Sequence, residues 1–493
     1  MHPDHDVLVI GGGFSGIGAA IMLDKAGFSD YLVLEEGDGV GGAWHWNTYP
    51  GVAVDIPSFS YQFSFEQSSR WTRVYAPGDE LKGYAEHCVD KYRLRNRIRL
   101  NSGVVGTSYD DDDATWTVTT ANGDELTARY IINATGVLTK PKAPAIDGFD
   151  TFTGETVHTA RWDHDLDLQG KRVAVIGTGA SAVQLIPAIA DEVEHLRVFQ
   201  RTAIWCLPKP DAALSGRTRA ILSKIPGAKR VARLASQTYV ELTFPLAAHF
   251  HHPLNLAGSG EKLGRKALKN QVTDPAVREK LTPRYAVGCK RPSFHNSYLS
   301  TFNRDDVHLE TDPIDAITPT GVRTATGTEH QVDVLVLATG FKVFERDNMP
   351  GFPCTSRGAD LGDWWAENRA QAYEGVSVPG FPNMFSILGP YGYNGSSYFN
   401  LIETQMAHIV RCLTQARKLG ARAIEVKQDA NARYFATMLA RRPRQVFTEE
   451  SCSVANSYYF DEHGDTPFRA STTIETMWQA GHFPLTDYEF ATV

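Results

Sequence analysis

Twice along this chain an apolar run suited to a buried parallel strand meets a glycine-rich loop that opens a helix. Val7–Ile10 leads into Gly11-Gly12-Gly13-Phe14-Ser15-Gly16, and Ile17–Ala26 then reads as a helix stopped by Gly27. A second apolar strand, Tyr31–Leu34, follows and ends in Glu35, about 20 residues past the loop. The pattern returns at Val173–Ile176, Gly177-Thr178-Gly179-Ala180-Ser181-Ala182 and an apolar helix through Ile189. Strand, turn, helix and strand in that order let a glycine backbone approach a pyrophosphate at a helix N-terminus, so the chain should hold two dinucleotide sites.

The residue after each second strand separates the two sites. Glu35 can accept hydrogen bonds from a ribose, which suits the adenosine of FAD. The strand Leu196–Phe199 instead ends in Gln200-Arg201-Thr202. An acid there would repel a 2′-phosphate, whereas Arg201 can bind one through charge-assisted hydrogen bonds. The second site is therefore expected to take NADP, with Gly177, Gly179, Ala180, Ser181, Arg201 and Thr202 around it.

A chain of 493 residues exceeds one hydrophobic core, and 42% hydrophobic with 22% charged residues is the balance of a globular protein. The net charge of -8 and the lack of an obvious Lys/Arg stripe set nucleic acid aside as a partner. Met1–Asp6 is short and polar, and no run approaches the roughly 20 apolar residues of a spanning helix. A cytoplasmic protein without a transmembrane segment is expected; its oligomeric state is not legible. The six cysteines, Cys88, Cys206, Cys289, Cys354, Cys412 and Cys452, are scattered and read as buried reduced thiols. They offer neither the spaced pair of a disulfide reductase nor a zinc spacing, and no metal is expected.

Two segments, Tyr130–Gly136 and Asp333–Phe341, are apolar strands closed by Ala-Thr-Gly. In the two-dinucleotide flavoproteins that this arrangement resembles, such segments connect the domains. The expectation is an α/β fold with two Rossmann-like domains and the NADP domain inserted in a discontinuous FAD domain. The FAD domain would span 1–142 and 336–493, and the NADP domain 143–335 with a helical cap at about 208–285. Val231, Leu234, Ala235 and Leu242 mark one apolar face of that cap, which reads equally as packing on the NADP domain or as a substrate wall.

Between the nucleotide units stands Phe152-Thr153-Gly154-Glu155-Thr156-Val157-His158-Thr159-Ala160-Arg161-Trp162-Asp163. It resembles the F-x-G-x-x-x-H-x-x-x-W-[P/D] fingerprint of type I Baeyer-Villiger monooxygenases. Gly41–Asp55, with Gly42, Trp44, Tyr49, Pro50, Gly51 and Asp55, resembles a second motif of that family, G-G-x-W-x-x-x-x-Y-P-G-x-x-x-D. The resemblance runs from the start of the chain to about Pro390.

It implies FAD and NADPH as cofactors, and a small ketone and O2 as substrates. One oxygen atom would be inserted beside the carbonyl to give an ester or lactone through a peroxide at flavin C4a. The Gly11, Gly13, Phe14, Ser15 and Gly16 loop with Glu35, Gly42, Trp44, Asp55, Thr135, Thr339 and Gly340 would contact cofactor. In Gly288-Cys289-Lys290-Arg291, Lys290 would join Arg201 and Thr202 at the 2′-phosphate, and Arg291 would face the flavin as the catalytic cation oriented by Asp55. Arginine suits that post because it stays protonated and supplies several donors. His158 reads as a structural residue of the fingerprint.

Leu388-Gly389-Pro390 and Asn394–Ser397, ahead of a helix from Tyr398, resemble a flavin-facing loop, with Tyr391 and Tyr393 reading equally as lining of the substrate space or as packing aromatics. Ala53 stands where the family often has Arg, and the segment from Asn456 to Tyr459 onward matches no family substrate loop. The rival chemistry is oxidation of sulfur or nitrogen in small organic substrates by the same flavin; a binding protein without turnover is the other class.

Overall fold

A computed structural model describes residues 2–254 and 256–492. Two sheets organise it. In the first, His5–Ile10 pairs in parallel with Tyr31–Leu34 on one side and Glu125–Asn133 on the other. Glu125–Asn133 forks, its first half antiparallel to Thr115–Thr120 and its second half parallel to Met384–Ser386. This sheet therefore draws strands from both ends of the chain, and Cys354–Ser356 closes its far side against Val104–Asp110.

The second sheet is wholly parallel, in the order Val307–Glu310, His195–Phe199, Arg172–Ile176, Val334–Leu337, Glu155–His158. Val7–Val9, Val173–Val175 and Val334–Val336 are completely buried, as continuous apolar strands covered on both faces must be. Val334–Leu337 is one unbroken strand, so it carries the second sheet two residues past the expected boundary at 335.

The loops work by close approach. Gly11 and Gly177 adopt φ +112° and +115°, and a Cβ at Gly11 would stand 2.7 Å from the Ala134 carbonyl oxygen. A Cβ at Gly16 would collide with the Gly11 carbonyl, so only glycine lets helix Phe14–Lys25 start there.

The cap is helical, as expected, but its orientation is not. Helix Leu256–Gln271 packs Ala267 and Leu268 into the core of the second sheet. Helix Ala228–Thr243 instead buries Ser236 and Val240 and leaves Val231, Leu234 and Leu242 exposed. Its polar side chains dock on the first-sheet unit: Ser236 shares a 2.7 Å hydrogen bond with Ser60, and Arg233 donates to the Gln62 carbonyl and to Asn400. Good hydrogen-bond partners on that surface outcompete the periodicity rule.

A second correction concerns the cysteines. Cys289 and Cys452, 163 residues apart in sequence, form a disulfide, while Cys88, Cys206, Cys354 and Cys412 are free and buried. Spacing carries no information about a pair that only folding brings together. Among the described residues no helix is long and apolar enough to cross a membrane.

Candidate active site

Both glycine loops open into one cleft of about 1410 Å³. Its walls include Gly13, Phe14, Ser15, Gly42, Trp44, Asp55, Thr135, Gly177, Gly179, Ala180, Ser181, Arg201, Thr202, Lys290, Arg291, Thr339 and Gly340. Nearly every residue singled out from sequence thus converges on one space. Gly11, Gly16 and Glu35 lie just behind the wall and shape the loop. Glu35 is buried, and its two carboxylate oxygens accept from the backbone N–H of Gly12 (2.5 Å) and Gly37 (2.8 Å). It braces the loop.

At the second loop a Cβ on Gly179 would meet nothing within 4 Å, so the backbone there faces open space of the kind a pyrophosphate needs. Beyond it Arg201, Thr202 and Lys290 stand together on the cleft wall. Burial, and then the like charge of Arg201, pushes the Lys290 ammonium down to about 8. Two cations therefore share this stretch of the cleft wall, an arrangement that could hold a phosphate. Asn456, unassigned from sequence, donates a 2.7 Å hydrogen bond to Thr202 Oγ1 and fixes that hydroxyl.

Arg291 and Asp55 make a two-pronged ion pair: Nε donates to Oδ2 at 2.7 Å and an Nη to Oδ1 at 2.8 Å. Each side chain is about a quarter exposed, and both line the cleft. Burial alone would raise Asp55, but the Arg291 charge and its hydrogen bonds, helped by Lys209, hold the carboxyl below its usual value. Burial likewise works against the Arg291 charge, and Asp55 first among its neighbours more than restores it. The result is a permanently charged guanidinium on the cleft wall.

The remaining candidates divide. Trp44 donates to the Tyr61 hydroxyl at 3.1 Å, and Ser15 shares a 2.8 Å hydrogen bond with Tyr398, the first residue of helix Tyr398–Leu419. Thr135 donates to Asn133 at 2.8 Å, and Thr339 donates to the Lys142 carbonyl and lies 3.3 Å from His158 Nε2. Burial and then Arg161 lower His158 to about 4, which leaves it neutral, and its Nδ1 accepts from the Ala160 N–H. His158 is a strut at the end of a strand, as its sequence context suggests. Tyr393 lines the cleft, whereas Tyr391 is 1% exposed and packs on Phe435 in the core. The twofold choice for that aromatic pair resolves differently for each member.

The segment without a sequence match supplies a further stretch of wall: Asn456–Glu462, Pro467 and Phe468 all line the cleft, beside Phe244 from the end of the cap helix. No motif marks them, because only the return of the chain across the second unit brings them there. The disulfide holds that segment to the residue preceding Lys290, yet neither sulfur lines the cleft, which leaves no dithiol relay at the site.

Comparison with known proteins agrees. The family described as pyridine nucleotide-disulphide oxidoreductase matches residues 8–245. A Baeyer-Villiger monooxygenase of Streptomyces coelicolor is 36% identical over 497 residues, covering 99% of this chain and 93% of the relative. One from Pseudomonas aeruginosa is 36% identical over 90% of this chain and 84% of its own length. Among solved structures, OTEMO in complex with FAD and NADP superposes with a TM-score of 0.88 at 28% identity, over 100% of both chains. With the paired glycine loops, the shared cleft and near-complete coverage of these relatives, the chain belongs to the Baeyer-Villiger monooxygenases.

Proposed function

We propose that this flavoprotein monooxygenase uses FAD, NADPH and O2 to insert one oxygen atom beside the carbonyl of a small ketone, yielding an ester or lactone. The observation that carries the reading is the Arg291–Asp55 pair, a fixed positive charge at a cleft onto which both dinucleotide loops open. When bound, FAD reduced by NADPH supplies the activated oxygen that attacks the carbonyl carbon.

The chain's own residues set the conditions for that attack. The Gly11–Gly16 loop, braced by Glu35, seats FAD in the unit built on the first sheet. Gly177–Ser181 with Arg201, Thr202 and Lys290 seats NADP in the unit built on the second. Arg291 keeps its proton at any working pH and stabilises negative charge that develops on oxygen, the condition for nucleophilic attack on a ketone. Asp55 fixes the guanidinium's orientation and offsets its charge when nothing else does. Phe244, Tyr393, Tyr458 and Phe468 give the substrate space an aromatic lining.

The test is product analysis with NADPH, O2 and a panel of cyclic, aliphatic, aryl and steroid ketones plus a thioether. An ester or lactone one oxygen heavier than its ketone supports the reading. Sulfoxide as the sole product moves the chain to heteroatom oxidation. Arg291→Ala should keep NADPH oxidation and lose ester formation, and normal ester yield from that variant would remove Arg291 from its role.

A further inference from the structure

A surface helix ordinarily turns its apolar stripe inward. Helix Ala228–Thr243 does the reverse. Val231, Leu234, Ala235, Thr238 and Leu242, spaced for one face, are all exposed, Val231 and Leu234 at 69% each. The opposite face is used up in docking. Lys229 donates to the Gln67 carbonyl, Arg233 to Gln62 and Asn400, and Gln237 to Ser396, while Ser236 meets Ser60.

The neighbouring elements extend the outward face. Ile221 and Ile225, at the end of helix Gly216–Lys224, are half exposed. Helix Thr473–His482 is fastened beside the cap helix by Glu241, which accepts from the Thr473 N–H (3.0 Å) and hydroxyl (2.5 Å). It too presents its apolar side outward, with Ile474 at 79%, Met477 at 55% and Trp478 at 62% exposure.

Charge then narrows the partner. From Ala212 to Val240 the chain has Arg217, Arg219, Lys224, Lys229, Arg230 and Arg233 and no acidic residue, although the whole protein carries -8. This local run escapes a reading of overall composition. Arg217, Arg219, Lys224 and Arg230 are exposed, and no ion pair engages them among the described residues. The nearby acids are occupied: Glu241 by Thr473, and Glu475 by Arg441 at 2.7 Å.

We propose that this face docks on an anionic lipid surface, with Val231, Leu234, Leu242 and Trp478 entering the headgroup boundary and the four free cations meeting lipid phosphates. Exposed aliphatic side chains with a tryptophan among basic residues are what an interfacial helix uses. A second copy placed over the same face by a two-fold axis would set unpaired cations against each other, and a nucleic acid would leave the aliphatic stripe uncovered. Phe244, just past the same helix, lines the active-site cleft. The proposal does not depend on which substrate is oxidised.

Flotation of the purified holoenzyme with vesicles tests it. The protein should rise with phosphatidylglycerol vesicles at low salt and stay behind with phosphatidylcholine, or at ~1 M salt where the Debye length is ~3 Å. Each basic residue near an anionic surface strengthens binding about fivefold, so R219E/K224E should weaken it at least ~25-fold. V231E/L234E should abolish flotation. Both pairs point into solvent and should leave flavin content and NADPH oxidation unchanged. Lipids brominated on their chains should quench tryptophan fluorescence in the wild type and fail to quench that contribution in W478F. Wild type that does not float on anionic vesicles, or flotation unaltered in V231E/L234E, overturns the proposal. So does a wild-type dimer that V231E/L234E dissociates, since the face would then belong to a second copy.

Discussion

Coenzyme affinity should carry the titration of Lys290. With its ammonium lowered to about 8 by burial and by Arg201, Lys290 is mostly charged at pH 7 and mostly neutral at pH 9. A 2′-phosphate is doubly charged across that range and needs the charged form. If only that form binds, the dissociation constant scales as one plus the ratio of neutral to charged lysine, a rise of about tenfold from pH 7 to pH 9. The linkage of Lys290 to stability runs the other way. An unfolded Lys titrates near its ordinary value of 10.5, so between about 8 and 10.5 the unfolded chain holds more protons. Lys290 therefore adds to the stability of the coenzyme-free protein as pH rises through that window. Calorimetric titration with NADP⁺ at pH 7, 8 and 9 reads the effect directly. NAD⁺, lacking the phosphate, should show a flat profile. Lys290→Met should be flat and weaker by about 10- to 150-fold at pH 7, the range for a hydrogen bond to a charged group. Lys290→Arg should be flat and tight. The same pH slope in Lys290→Met, or for NAD⁺, would refute the assignment of this lysine to the phosphate.

Other outcomes follow from the same site. Asp55→Ala removes the counter-charge of a cleft-facing guanidinium held at 2.7 and 2.8 Å, and should cut ester formation by more than about tenfold, or ~1.4 kcal/mol, while NADPH consumption continues with peroxide released. Equal coupling of NADPH to product in that variant would count against the orienting role. Gly16→Ala sets a methyl against the Gly11 carbonyl and should yield protein without bound flavin, read from its visible spectrum. Opening the Cys289–Cys452 bond with a dithiol releases a loop of 163 residues and should lower stability by about 2–5 kcal/mol in a denaturant titration, with C289S/C452S matching the reduced protein. Arg201→Glu should reverse the preference between NADPH and NADH, measured as the ratio of their kcat/KM values.

Local chemistry made much of this protein legible. Strand periodicity, the glycines of Gly11–Gly16 and Gly177–Ala182, and the acid or base after each second strand depend on interactions within about 30 residues. A sequence displays such interactions directly, and the motif residues Asp55 and Arg291 could be paired only through a family resemblance. Tertiary structure alone decided what depends on distant partners. Cys289 finds Cys452, Asn456 finds Thr202, and the unmatched C-terminal segment becomes a cleft wall because the chain folds back across the second unit. The cap helix shows the same limit from the other side. Its stripe of Val231, Leu234 and Leu242 predicts an inward face, but Ser236, Arg233 and Gln237 opposite meet better partners on the first-sheet unit and turn the stripe outward. Periodicity tells which side chains share a face, and only the surface waiting to receive the helix determines which face is buried.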